Sequence, residues 1–346
     1  MTTFKTRWVA VKPIAITLFG LVVWVYSLSL DLYFVIRLAF GDRWTITAIF
    51  SSLIPLLLLP ALVLFVIGLR LRKYRLALSL LPPIVVLLVF YGVRFLPVRG
   101  FAPAQGTPTL KILTYNLANP GAGPNGLVTV IRQSGADVVA AQELSQAAAD
   151  AFNTQLADLY PYRILKPQTE PSLGNGVLSK YPLTDDTFWL NFRGNQRMII
   201  AIPGRSIVFY NVHLADPVTS GGFDQHIDEV TQLLQRVKNE TAPLIVAGDF
   251  NMTDFSEGYG QITQQFTDSY RSVGGGFGWT YSPLRRFVQL RRILPIILTP
   301  LTRIDYVFVD PHFMPATASV SSDSGGSDHY PTSVTLIVQP EATPAS

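Results

Sequence analysis

Hydrophobic and polar positions divide this chain into two unlike parts. Up to about residue 96 apolar residues run almost unbroken, and from Thr109 onward they come in short alternating runs separated by Gly, Pro and Asn. The first part holds three apolar stretches: Pro13 to Ile36, Thr45 to Leu69 and Leu76 to Leu96. Each approaches or exceeds the roughly 20 residues that cross a bilayer core. A cleaved signal peptide carries only about 7–15 apolar residues before a small-residue site, a pattern absent here. Three transmembrane helices are expected, making residues 1–96 a membrane anchor. The Pro- and Gly-rich stretch 97–108 reads as a linker, 109–340 as one globular domain and 341–346 as a tail.

Within the globular part the alternation predicts strands at Leu110 to Asn116, Asp137 to Gln142, Gly176 to Ser179, Met198 to Ile202 and Ser206 to Val212. Further strands are expected at Leu244 to Ala247, Ile304 to Val309 and Ser333 to Val338. Helical patterns cover Gly126 to Ser134, Gln146 to Leu159 and Phe223 to Asn239, the last with apolar residues at Ile227, Val230, Leu233, Leu234 and Val237. Strands and helices mix through short connections, which points to an α+β layered domain and away from a regular doubly wound sheet.

Composition sharpens this division. A mean hydropathy of +0.31 with 14% charged residues fits a membrane part joined to one good-sized domain. Zero cysteines leave neither disulfides nor a thiolate metal site. The net charge of +4 does not by itself indicate nucleic acid, because many of the cations flank apolar spans. Lys5, Arg7 and Lys12 precede the first span, and Arg70, Arg72, Lys73 and Arg75 crowd between the second and third. Both of those sides are then cytoplasmic. With three crossings, the expectation is a multi-pass plasma-membrane protein with its N-terminus inside and its catalytic domain outside.

The candidate chemistry sits where strands end. LIVAGDFN, 244–251, is an apolar run that stops at Gly248 and delivers Asp249 and Asn251. Alone, this is an ordinary strand exit. Other predicted strands, however, end at Asn116, Glu143, His213 and the pair Asp328-His329. Exits sharing one rim of a two-sheet core would bring these residues together. Glu143 suits a hard divalent cation such as magnesium. Asp249 can orient and deprotonate water, while Asn116 and Asn251 supply neutral donors. His213 and His329 can donate to developing phosphorane charge, and Asp305 can fix the tautomer of His329. Dispersed histidines and the missing thiols disfavour zinc.

The ordered series LTYN, QE, GVLSKYP, NVHL, GDFN, RIDYVF, SDHYP resembles the endonuclease/exonuclease/phosphatase superfamily, over about Thr109 to Val338. That superfamily includes pancreatic-type deoxyribonuclease, abasic-site endonuclease, neutral sphingomyelinase and inositol-polyphosphate 5-phosphatase. The resemblance implies a four-layer α-β-β-α sandwich of two packed mixed sheets, and Mg2+-dependent cleavage of a phosphoester by water, with Mn2+ as the substitute ion. It implies Asn116, Glu143 and Asp328 on the metal side. Asp249, Asn251, His213, His329 and Asp305 become the water-activating and charge-stabilising set. Arg197 resembles a phosphate-contacting arginine in part of the family. The carboxylate that partners the first histidine in the nucleases has no clean counterpart, with Glu170 and Asn175 nearby. His226 and His312 read as surface residues, and Asp268, Asp310 and Asp323 as turn or cap residues.

Between Tyr281 and Arg303, Arg285, Arg286, Arg291 and Arg292 interleave with aliphatic residues. One reading is a loop with a buried strand. The other is a basic apolar surface drawn to anionic lipid. The layout of spans plus catalytic domain resembles bacterial teicoplanin-resistance membrane proteins, implying a lipid-linked phosphate or pyrophosphate as substrate and the bilayer as partner. A tethered nuclease acting on nucleic acid, a phospholipid phosphodiesterase and a non-catalytic binding module are the alternatives. No obligate protein partner is expected.

Overall fold

The computed structural model describes residues 2–95, 103–118, 123–218, 222–282 and 299–340. The chain forms two compact units, Met1–Val93 and Arg94–Ser346. The first begins with helices α1 (Thr2–Phe40) and α2 (Thr45–Arg70). Among the described residues two helices are long and apolar enough to cross a membrane, spanning Ile14–Phe40 and Ile46–Arg70.

The third expected span is not one helix. It is broken into α3 (Tyr74–Ser79) and α4 (Leu81–Phe90), followed by a 3-10 turn at Gly92–Phe95. Pro82 and Pro83 explain the break, because neither has an N–H to bond the carbonyl four residues earlier. Ser27 Oγ donates instead to the carbonyl of Ser79 left open by Pro83. Leu76, Leu80 and Ile84 nevertheless pack with Val23 and Ala61 of the two long helices.

The second unit runs β1 (Thr109–Asn116), α5 (Asn125–Ser134), β2 (Val138–Gln142), α6 (Gln146–Gln155), β3 (Tyr162–Lys166), β4 (Asn175–Ser179), β5 (Leu183–Leu190), β6 (Gly194–Ile202) and β7 (Arg205–His213). It continues with α7 (Gly222–Val237), β8 (Leu244–Asp249), α8 (Glu257–Ile262), β9 (Thr267–Asp268), α9 (Ser269–Val273), β10 (Asp305–Val309), β11 (Phe313–Val320) and β12 (Thr332–Val338). Strands β3, β5, β9 and β11 went unread in the sequence. One six-stranded sheet has the order β11-β12-β1-β2-β4-β3, the other β5-β6-β7-β8-β10-β9. Both are mixed: β1 runs parallel to β2, and β7 parallel to β8.

Three apolar layers bind these sheets into the expected sandwich. Leu110, Ile112, Ile207, Phe209, Ile245 and Val307 fill the space between the sheets. Leu113, Tyr115 and Val139 face outward onto Leu127, Ile131 and Phe152 of α5 and α6. On the other side, Tyr210, Val246 and Phe308 face Val230 and Leu233 of α7.

The parity of each strand sets its chemistry. Side chains alternate with period two, so Asn116 continues the inward row of Leu110 and Ile112. By the same count His213 continues Ile207 and Phe209, Asp249 continues Ile245 and Ala247, and Asp305 continues Val307 and Val309. Each strand therefore buries apolar side chains along its length and leaves one polar group pointing into the same end of the inter-sheet space. Gly248 permits the close approach of β7 and β8 there, since a Cβ on it would lie 1.9 Å from Val212 O.

Candidate active site

Three donors converge on one carboxylate oxygen, Asp249 Oδ2. Asn116 Nδ2 lies 2.9 Å away, His213 Nε2 3.5 Å and His329 Nε2 3.8 Å. The other oxygen, Oδ1, accepts from Asn251 N–H at 2.9 Å. Asn116 also donates to Glu143 Oε1 at 3.2 Å, and His213 Nε2 is 3.9 Å from that oxygen. His329 Nδ1 is 2.9 Å from Asp305 Oδ2. The expected residues Asn116, Glu143, His213, Asp249, Asp305 and His329 thus form one contiguous group, drawn from both sheets.

Two members hold a left-handed backbone, Glu143 at φ 55° and Asn251 at φ 50°. Such a conformation is uncommon outside glycine, and its cost is recurrently met at functional sites. The turn at Glu143 swings its carboxylate out of the β2 alternation toward Asn116. At Asn251 it lets the side-chain amide donate to Leu214 O at 2.9 Å.

Electrostatics push the two histidines apart. Burial alone would lower the His329 pKa, but Asp305, Asp249 and Asp328 outweigh it and raise it to about 10. His213 moves the other way, depressed by burial, then by the positive charges of Arg193 and His329. His329 is consequently a cation and His213 a neutral imidazole near neutral pH, an arrangement that separates acid from base roles. Burial raises Asp249, as does repulsion from Asp305, while His329 and Asn116 oppose the rise. Burial raises Glu143 too, partly offset by His329, Asn116 and Arg193.

Two clusters compete as a cation cage. Asp249, Asp305 and His329 place potential ligand atoms within 4.8 Å of one another. In this trio His329 Nδ1 is already bonded to Asp305 and Nε2 faces Asp249, so the trio suits proton handling. Glu143 and Asp328 fit a hard cation better. They are oxygen donors at the wall of an open cleft, and Asp328 Oδ1 is buried without a hydrogen-bond partner. The cleft has a volume of about 420 Å³ and apolar walls that include Leu117, Pro124, Leu127 and Pro171.

Arg197 is placed elsewhere. Its neighbours Gln196 and Met198 point between the sheets, so Arg197 points to the outer face, where it pairs with Glu240 at 2.8 Å and with Asp185. No carboxylate pairs with His213 Nδ1 among the described residues. Asn175 bonds Asn211 O at 3.1 Å, and Glu170 bonds Ser172 at 2.9 Å at the cleft. His312 is exposed and pairs with Asp310 at 3.0 Å. His226, in contrast, is buried on the inner face of α7, with Nδ1 2.7 Å from Ala215 O. Asp268 caps α9 and also pairs with buried Arg303.

Sequence reasoning missed several supporting groups. Gln142 Nε2 donates to Asn211 Oδ1 across the sheets at 2.7 Å, and Asn211 Nδ2 donates to Ala141 O and Gly176 O at 3.0 Å each. This buried amide network lies one or two residues from Glu143 and His213 and ties the sheets beneath the site. The signal was present as polar residues interrupting inward rows. Tyr281 was also missed: its ring lies 4.7 Å from that of His329 at 35°.

Two facing mixed sheets, flanked by helices and carrying acids, amides and imidazoles at one shared end, define the fold class of the phosphoester hydrolases of nuclease and phosphatase type. The chain belongs to the Endonuclease/Exonuclease/phosphatase family, whose model matches residues 113–329. A solved family protein from Bacteroides vulgatus superposes with a TM-score of 0.54 at 17% identity, covering 67% of this chain and 100% of that one. One from Beutenbergia cavernae gives 0.51 at 21% identity, covering 68% and 73%. D. rerio TDP2, complexed with single strand DNA product, gives 0.52 at 17% identity, covering 66% and 98%. At these identities the likeness is one of fold. No curated protein matches the chain significantly.

Proposed function

We propose that this family hydrolase is membrane-anchored through α1, α2 and the broken α3–α4 segment as a third crossing, acts at the outer face of the plasma membrane, and cleaves a lipid-linked phosphate or pyrophosphate. The observation that carries the substrate reading is the cleft beside Glu143 and Asp328. Its walls are apolar or carry carboxylates and serines, and among the described residues none that lines it is basic. A nucleic-acid strand needs cations along its backbone, whereas an apolar substituent on a phosphate needs only such walls. The outer placement is supported by the cations flanking the spans and by the broken α3–α4 segment, which packs against both long helices. The basic apolar segment 284–300, a candidate lipid contact, lies almost wholly outside the described residues.

In the proposed chemistry Glu143 and Asp328, with Asn116 beside them, would hold Mg2+ or Mn2+, which would supply Lewis acidity to a phosphoryl oxygen. Asp249 accepts a proton from the attacking water, whose oxygen forms the new P–O bond as the bond to the leaving oxygen breaks. Asn251 fixes the loop that presents Asp249, and Asn116 holds that carboxylate in place. Protonated His329, oriented by Asp305, stabilises charge gathering on phosphoryl oxygens, and neutral His213 donates a hydrogen bond there.

The test is phosphate release by the full chain in detergent with magnesium. A polyprenyl pyrophosphate is compared with a DNA duplex, with Asp249→Asn as control. Release from the lipid by the unmodified protein alone supports this reading. Cleavage of DNA alone replaces it with a surface nuclease.

A further inference from the structure

The turn between β5 and β6 carries a cation whose charge the contacts around it do not answer. Arg193 immediately precedes β6, and its Nε is buried without a hydrogen-bond partner. Leaving a buried guanidinium N–H unmet is costly. The guanidinium lies 5.3 Å from the centroid of its neighbour Phe192, and among the described residues it has no ion pair within reach of a carboxylate.

Several contacts fix this turn against the site. Arg193 O accepts from Asn191 N–H and Asn195 Nδ2, each at 3.1 Å. Asn195 Oδ1 in turn accepts from the backbone N–H of His213 at 3.1 Å. Glu229 accepts from Phe192 N–H at 2.9 Å and from Ala215 N–H at 2.7 Å, joining the turn to the chain leaving β7. On the opposite flank a Cβ on Gly194 would stand 2.1 Å from Leu173 O, and one on Gly174 2.2 Å from Leu144 O. Three backbone segments therefore stack with no room for side chains, and the innermost adjoins Glu143. The positive charge of Arg193 reaches both Glu143 and His213, in keeping with that placement.

We infer that Arg193 is a phosphate-binding residue of this site, its guanidinium fork contacting non-bridging oxygens of the phosphate held between Glu143 and His213. The inference rests on the phosphoester-hydrolase reading of the site and adds a residue to it. A planar fork matches phosphate geometry better than an ammonium does. Without this residue the only cation among the described site side chains is His329, which Asp305 and Asp249 already face. Arg197, four positions later on the outer face, cannot take the role.

The experiment is a calorimetric titration of the full chain, in detergent with magnesium, using inorganic phosphate as the probe. Arg193→Ala is expected to weaken phosphate binding at least tenfold and Arg193→Lys to recover part of it. Millimolar guanidinium should restore binding to the Ala variant, a rescue that only folded protein can show. Unchanged affinity in Arg193→Ala, or no phosphate binding by the unmodified protein, overturns the inference. Phosphate binding that depends on Arg193, alongside no turnover of polyprenyl pyrophosphate, refutes the lipid substrate and leaves Arg193 assigned.

Discussion

Asp305 Oδ2 stands 2.9 Å from His329 Nδ1 at the inner end of the site, with both side chains all but buried. The pair links two segments that sequence separates: the start of β10 and the loop before β12. A buried imidazole would ordinarily lose its proton, and here the neighbouring carboxylates keep it charged.

Asp305→Asn removes the nearest of those carboxylates, so the His329 pKa falls from its raised value of about 10. The proton is then lost at lower pH. In a pH profile of kcat/KM, the alkaline limb is expected to move toward neutrality, with turnover reduced by about 10²–10⁴-fold. An unmoved limb would separate His329 from the chemistry.

Asp249→Asn is expected to lower turnover by about 10²–10⁴-fold without weakening the fold. The native carboxyl holds its proton above the unfolded value of roughly 3.9, because burial and then Asp305 raise it. Stability in chelator therefore falls as pH climbs from the unfolded pKa through the folded one. The amide abolishes that loss, so thermal unfolding at pH 7 should come no earlier than in the unmodified protein. An earlier transition would contradict the sign.

Arg197→Met tests the outer-face placement. Activity and phosphate affinity should be unchanged, and denaturant unfolding should show a cost on the order of 1 kcal/mol from the lost partly exposed pair. A large rise in KM would return Arg197 to the site.

Arg303→Met attacks the support beneath β10. Arg303 is 3% exposed and bonds Asp268 at 2.7 Å and Asp254 at 3.1 Å. Leaving those carboxylates buried and unanswered should cost about 3–5 kcal/mol at pH 7. Burial would raise Asp268, but Arg303 overrides it and holds its pKa down. The pair therefore stabilises above the unfolded carboxylate pKa and loses that contribution as pH falls through the folded one. In the variant, acid instead relieves the stranded carboxylates. The stability gap should narrow below pH 4, as paired urea titrations would show.

The division between apolar spans and a layered domain was legible because both are short-range patterns. So were the strand exits, since an apolar run ended by Gly-Asp or by Asn is a local event. The broken third helix was half-legible. Its apolar content matched a span, while Pro82 and Pro83 carried the opposing signal. His226 was misread as a surface residue, although it shares the spacing of Phe223, Val230, Leu233 and Val237 on the buried face of α7.

By itself the sequence determined the family pattern, the polar ends of the strands and the residue types able to do phosphoryl chemistry. Tertiary structure alone decided which of these face one another. Met198 to Ile202 is apolar at every position although its outer row, Ile199 and Ala201, is half-buried or exposed, so the sequence there could not show that Arg197 points outward. The place of Arg193 depends on Gly194 and Gly174 stacking on segments distant in the chain. Asn116, His213, Asp249 and His329 meet only because the two sheets pack with their polar ends together. No window of local sequence contains that contact.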